Sequence, residues 1–111
     1  MEGVKIFAIP LIGNSSKYSV SKLFARSPYF LIYDEKDGRK EIVNNSFKDE
    51  QQKSGKFLSK NLVAKGVNVF LGIDIGFNVQ KIAEENNIQL ILLPEKKEII
   101  VDTIINMIKN K

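Results

Sequence analysis

The sequence predicts a mixed α/β protein, a five-stranded sheet in the order 3-2-1-4-5 with helices on its faces. Three observations carry this. Apolar runs rich in β-branched and aromatic residues recur at Val4–Pro10, Tyr29–Asp34, Arg39–Val43, Val67–Leu71 and Ile88–Leu93. The second and third runs are joined by a short turn and form an antiparallel hairpin. The last two are separated by an amphipathic stretch and form a βαβ unit, whose right-handed crossover lays parallel strands side by side.

Taken in order, Val4, Ile6 and Ala8 alternate with Lys5, Phe7 and Ile9, the period-2 pattern of a strand covered on both faces. Pro10 through Ser21 is a polar connection. After Tyr29–Asp34, the turn Glu35-Lys36-Asp37-Gly38 reverses the chain, with Gly38 free to take positive φ, and Arg39–Val43 returns. Asn45–Lys53 is polar and reads as a mobile loop. Ser54 is placed to cap a helix from Gly55 to about Lys65, with Phe57, Leu58, Leu62 and Ala64 on its inner face and Gly66 stopping it. Val67–Leu71, interrupted only by Asn68, has the composition of a central parallel strand. A helix over Phe77–Asn86 turns Val79, Ile82 and Ala83 inward, and Ile88–Leu93 is the last strand, stopped by Pro94. The final helix, about Glu98–Lys109, gathers Ile100, Val101, Ile104, Met107 and Ile108 on one stripe opposite Asp102, Asn106 and Lys109.

A chain of 111 residues suits one domain over residues 1–111. It has no cysteine and no histidine, which removes thiolate metal sites, disulfides and imidazole general bases. The net charge of +4 is uneven: ten Lys, two Arg and seven acids leave +5 in residues 1–65, and five Lys against six acids leave −1 in residues 66–111. The basic residues are not interleaved with aromatics in a dense patch, so nucleic acid is not an expected partner. No apolar run approaches the ~20 residues of a membrane span, and no signal peptide is expected, so the chain reads as a soluble cytoplasmic protein.

The stretch Gly72-Ile73-Asp74-Ile75-Gly76 resembles the phosphate loop of sugar kinases and actins. In that architecture the motif leads into a hairpin, whereas here an amphipathic helix follows. A ribonuclease H-type nuclease would need further carboxylates converging beside Asp74 to hold two metal ions. The simpler reading has Gly72 and Gly76 permitting tight turns at a strand's carboxyl end and Asp74 capping the next helix. Ligands of open α/β sheets bind at such ends. No catalytic residue is assigned, and the chain reads as a non-enzyme.

The segment Ser19-Val20-Ser21-Lys22-Leu23-Phe24-Ala25-Arg26-Ser27-Pro28-Tyr29-Phe30 resembles the signature of the dinitrogenase iron–molybdenum cofactor biosynthesis family, which includes small nitrogenase accessory factor-like carriers. Val20, Ser21, Phe24, Arg26, Pro28, Tyr29 and Phe30 match it in register. The run from Leu62 to Val69 and the turn residues Ile75, Gly76 and Asn78 match further family elements. The resemblance implies a three-layer, ribonuclease H-like α/β/α domain without catalytic activity. It also implies binding of iron–molybdenum cofactor, or an iron–sulfur precursor, and its transfer between assembly proteins. Leu23 stands where the family motif has His, and Ala25 where it has Gly.

The candidate binding residues are Asn14, Ser21, Arg26, Ser54, Gly55, Asp74, Gly76 and Asn78, all on loops or helix starts at one end of the expected sheet. Arg26 can grip a carboxylate or phosphate in bidentate fashion. Ser54 and Gly55 open a helix whose free N–H groups favour anions, with Lys53, Lys56 and Lys60 close in sequence. No metal ligand is assigned and no tightly bound cofactor is expected. The ligand read from this set is iron–molybdenum cofactor or a related anionic cluster, the partners are cofactor-assembly proteins, and the chain is a monomer or weak homodimer. The alternative is a protein-interaction or regulatory module that kept the fold and lost cluster binding.

Overall fold

The computed structural model describes residues 4–46, 54–95 and 98–110. The elements run β1 (Ile6–Leu11), β2 (Tyr29–Asp34), β3 (Lys40–Asn44), α1 (Ser54–Ala64), β4 (Val69–Gly72), α2 (Phe77–Glu85), β5 (Gln89–Leu92) and α3 (Val101–Lys109). They form an open five-stranded sheet in the order β3-β2-β1-β4-β5, as expected. β1 pairs antiparallel with β2, which pairs antiparallel with β3; β1–β4 and β4–β5 are parallel. The β1–β4 register covers Phe7–Val69 and Ala8–Phe70, and Pro10, which has no N–H, lies beyond it.

The pleat sorts the core into two faces. Phe7, Ile9, Leu11, Leu31, Tyr33, Val69 and Leu71 meet Val101, Ile104, Ile105 and Ile108 of α3. Ala8, Phe30, Ile32 and Phe70 face the other way, against Leu58 and Leu62 of α1 and Val79 and Ala83 of α2. The three-layer α/β/α arrangement follows. Each fully buried Leu, Ile, Val or Phe in these clusters contributes about 1.5–3 kcal/mol of transfer free energy. Gly38 and Gly66 take positive φ (74° and 87°), which lets the β2–β3 turn close and α1 stop.

Several details differ from the sequence reading. α3 begins at Val101, not near Glu98. Val20 N–H donates to Ile99 O (2.8 Å) and Val101 N–H to Tyr18 O (3.0 Å), and these bonds hold Ile99 and Ile100 extended. The buried stripe of α3 is accordingly Val101, Ile104, Ile105 and Ile108, with Ile100 and Met107 exposed. In α1, Leu58, Ser59 and Leu62 are buried, while Phe57 and Ala64 are exposed. β5 is an edge strand, only half covered. Asn45, read as the start of a loop, is a buried anchor: its Nδ2 donates to Ala25 O (3.0 Å) and Ser27 O (2.8 Å). Residues 47–53, the rest of that expected loop, lie outside the described residues.

Candidate functional site

β1, β4 and β5 are mutually parallel, so their carboxyl ends point to one side. The amino ends of α2 and α3, which follow β4 and β5, lie there too, and so does that of α1, which leads back to the start of β4. The long connection from β1 to β2 is knitted into this end by main-chain bonds. Ile12 N–H donates to Ser19 O (3.2 Å) and Ser21 N–H to Pro10 O (3.0 Å), doubling the chain back over the tip of β1. Ser27, fully buried, takes the Leu11 N–H on its Oγ (3.0 Å) and donates to Tyr29 O (2.6 Å). Leu23 and Asp74 form a one-residue parallel bridge: Asp74 N–H donates to Lys22 O (3.0 Å), and Phe24 N–H donates to Asp74 O (3.1 Å).

Asp74 therefore does not cap α2. The cap residue is Gly76, with φ −64° and ψ 165°, and no side chain closes that helix end. Neither Gly72 nor Gly76 takes positive φ. Gly72 instead relieves crowding, because a Cβ there would stand 3.1 Å from the Phe24 ring, closer than ordinary contact.

The eight candidate residues divide. Gly55 is buried where α1 starts, and a Cβ on it would come within 3.0 Å of Val79 Cγ2, 3.7 Å of Asn78 Cβ and 3.8 Å of Ala25 Cβ. The start of α1 with Ser54 and Gly55, the start of α2 with Gly76 and Asn78, and the turn carrying Ala25 and Arg26 thus meet. Arg26 is exposed beside them. Ser21 is buried, and Asp74 is exposed and joined through the Leu23 bridge. Asn14 belongs elsewhere. Its loop leans on the start of α3, where Asp102 N–H donates to Ser16 O (2.9 Å), on the opposite layer from α1 and α2.

Between α1 and α2 lies an open groove of about 410 Å³, lined by Lys56, Lys60, Asn78, Lys81, Ile82 and Glu85. Lys56 and Lys60 stand one turn apart on α1, and Lys81 faces them from α2. Among the described residues none of these three lysines is within ion-pair distance of an acid. Lys81 was missed by sequence reasoning. The signal available was the spacing Asn78, Lys81, Ile82 and Glu85, which puts all four on one side of a helix.

Lys22 Nζ lies 2.7 Å from Glu95 Oε2, tying the loop after β1 to the loop after β5. The hydrogen bond and charge of Glu95 raise the Lys22 pKa above its usual 10.5, against slight desolvation, and Asp74 adds to the rise. Among the described residues no three Asp or Glu side chains, Asp74 included, gather into a metal-holding group. Leu23, at the motif's His position, is 48% exposed and offers no ligand atom.

The geometry is that of an α/β domain with a groove and a knitted loop cluster at its strand tips. The family model described as dinitrogenase iron-molybdenum cofactor matches residues 5–110, and the chain belongs to that family. A Thermotoga protein described as NifB-like, solved by NMR, is similar at 27% identity, with a TM-score of 0.79 over 96% of this chain and 88% of that one. The apo form of the orange protein from Desulfovibrio gigas shares the fold at 15% identity, with a TM-score of 0.83 over 99% of this chain and 92% of that one. So does a dinitrogenase-type protein from Methanocaldococcus jannaschii at 18% identity, with a TM-score of 0.63 over 99% and 92%. No curated protein matches significantly. Among the described residues no helix is long and apolar enough to cross a membrane.

Proposed function

We propose that this chain is a non-enzymatic carrier that holds an anionic metal cluster of the iron–molybdenum cofactor type and hands it to cofactor-assembly proteins in the cytoplasm. One observation carries the reading. In a member of this family with neither cysteine nor histidine, the groove between α1 and α2 presents three lysines against one acid, Glu85, and among the described residues none of the three is ion-paired. The cargo would be held by charge. Lys56, Lys60 and Lys81 supply positive point charges, Asn78 supplies an amide donor, and the uncapped start of α2 adds the positive end of its dipole. Such a hold is salt-sensitive and readily reversed, as transfer requires.

The test is anaerobic addition of isolated iron–molybdenum cofactor to the purified protein, followed by desalting and absorbance of the protein fraction. Cofactor should travel with the protein at low salt, and leave it at high salt and in the triple variant Lys56→Glu, Lys60→Glu, Lys81→Glu. Absence of comigration at micromolar concentrations would remove the carrier role.

Leu23 motivates the second reading, an interaction module that lost its cluster. In that case the unaltered protein stays colourless, while Leu23→His, at an exposed position the fold tolerates, restores binding. Cofactor binding by the unaltered protein would dismiss this reading.

A further inference from the structure

We infer that β5 is a homodimerisation edge, two copies pairing their β5 strands antiparallel about a two-fold axis at Ile91. The two edges of the sheet are unlike. β3, at one edge, carries exposed Lys40 and Glu41, the kind of charge that blocks strand addition. β5, at the other, reads Gln-Leu-Ile-Leu with no charge. Gln89 N–H donates to Asn68 O (3.1 Å) and Leu93 N–H to Gly72 O (2.8 Å), so the odd-numbered residues face β4. Alternation turns the N–H and C=O groups of Leu90 and Leu92 outward.

This pattern is self-complementary. A two-fold axis at Ile91 sets Leu90 against Leu92 of the second copy and Leu92 against its Leu90. Each outward residue then exchanges both its bonds, about four in all, and none is left over. The side chains agree. On the α3 face, α3 leaves an apolar groove of about 380 Å³ open beside the edge, lined by Leu71, Ile91, Leu93, Ile104 and Met107 among others. Met107 is 68% exposed there, and Leu92 is 65% exposed on the other face. The axis brings the two grooves together into one apolar trough, which the flexible Met107 side chains fill from both sides.

The edge itself selects a second copy as the occupant: its outward residues, Leu90 and Leu92, lie symmetrically about Ile91, so an identical strand meets every one of their outward groups. Charge does not oppose the pairing, because β5 carries none and residues 66–111 sum to only −1, while residues 1–65 carry the +5.

Sedimentation equilibrium over roughly 10 µM to 1 mM should show the mass rising from monomer toward dimer. Leu92→Lys and Met107→Lys, at exposed positions, should each stay monomeric over that range while melting at the temperature of the unaltered protein in dilute solution. Hydrogen exchange at Leu90 and Leu92 should slow by about tenfold or more on concentrating the unaltered protein, with no such slowing in either variant. A monomer at every concentration overturns the inference, as does a dimer that survives both substitutions. A monomer whose Leu90 and Leu92 amides are already protected overturns it too, because a segment of its own chain would then cover the edge.

Discussion

The Phe24 ring occupies the space that a side chain on Gly72 would need, with Cδ2 standing 3.1 Å from where that Cβ would lie and Ile75 Cγ1 3.3 Å from it. Phe24 has no room to retreat. It is fully buried, edge-on to Phe30 at 4.9 Å between ring centres and tilted against Phe70 at 5.2 Å. Gly72→Ala is therefore expected to destabilise the protein by about 1–3 kcal/mol through overpacking. Urea unfolding checks this, as a lower midpoint at unchanged slope.

Asn45 holds the turn before β2 from the far side of the sheet edge. Asn45→Ala withdraws the Nδ2–H groups from Ala25 O, partly buried, and Ser27 O, buried, and leaves both short of a donor. The expected cost is about 1–3 kcal/mol. A thermal melt reads the loss, and faster hydrogen exchange over residues 24–28 should accompany it.

Ile104 is 5% exposed in the face that α3 lays on the sheet. Ile104→Asp forces a carboxylate beneath the helix and should destabilise the domain by roughly 3 kcal/mol or more. An unchanged melting temperature would mean that α3 is not docked.

The Lys22–Glu95 pair sets a pH dependence of known sign. The folded pKa of Lys22 is raised, so its contribution is complete below the unfolded value of 10.5 and fades as pH climbs through the folded value. The part of the stability that Lys22 carries should be constant near neutrality and decline in strong alkali. In Glu95→Gln the Lys22 pKa should fall back toward its ordinary value, as a side-chain NMR titration would show. Both side chains are more than half exposed, so added salt should weaken the pair.

The hairpin and the βαβ unit were legible because each rests on local signals: alternating apolar runs, a turn ending in Gly38, a stop at Gly66. Strand order followed from them and from the handedness of the crossover. What stayed hidden depends on contacts far apart in sequence. Nothing near Ile100 announces that Tyr18 and Val20 bond to the chain on either side of it, which delays α3 and turns Met107 outward. Asn45 looks like any loop amide until Ala25 and Ser27 are brought to it. Asp74 carries the composition of a helix cap, but its backbone is engaged by Lys22 and Phe24, and the cap falls to Gly76. The groove was half legible: Lys56 and Lys60 stand out on α1, whereas Lys81 joins them only once α2 lies alongside.

The bridge between Leu23 and Asp74 is made entirely by peptide groups. Whatever side chain residue 23 bears, the main chain presents it at the same spot, half in solvent, beside the tip of β4. A relative with imidazole there and this chain with leucine can therefore share one scaffold. Exchanging the side chain alters what the tip displays to solvent and leaves the main-chain bridge beneath it in place, so the surface chemistry of this tip can drift independently of fold.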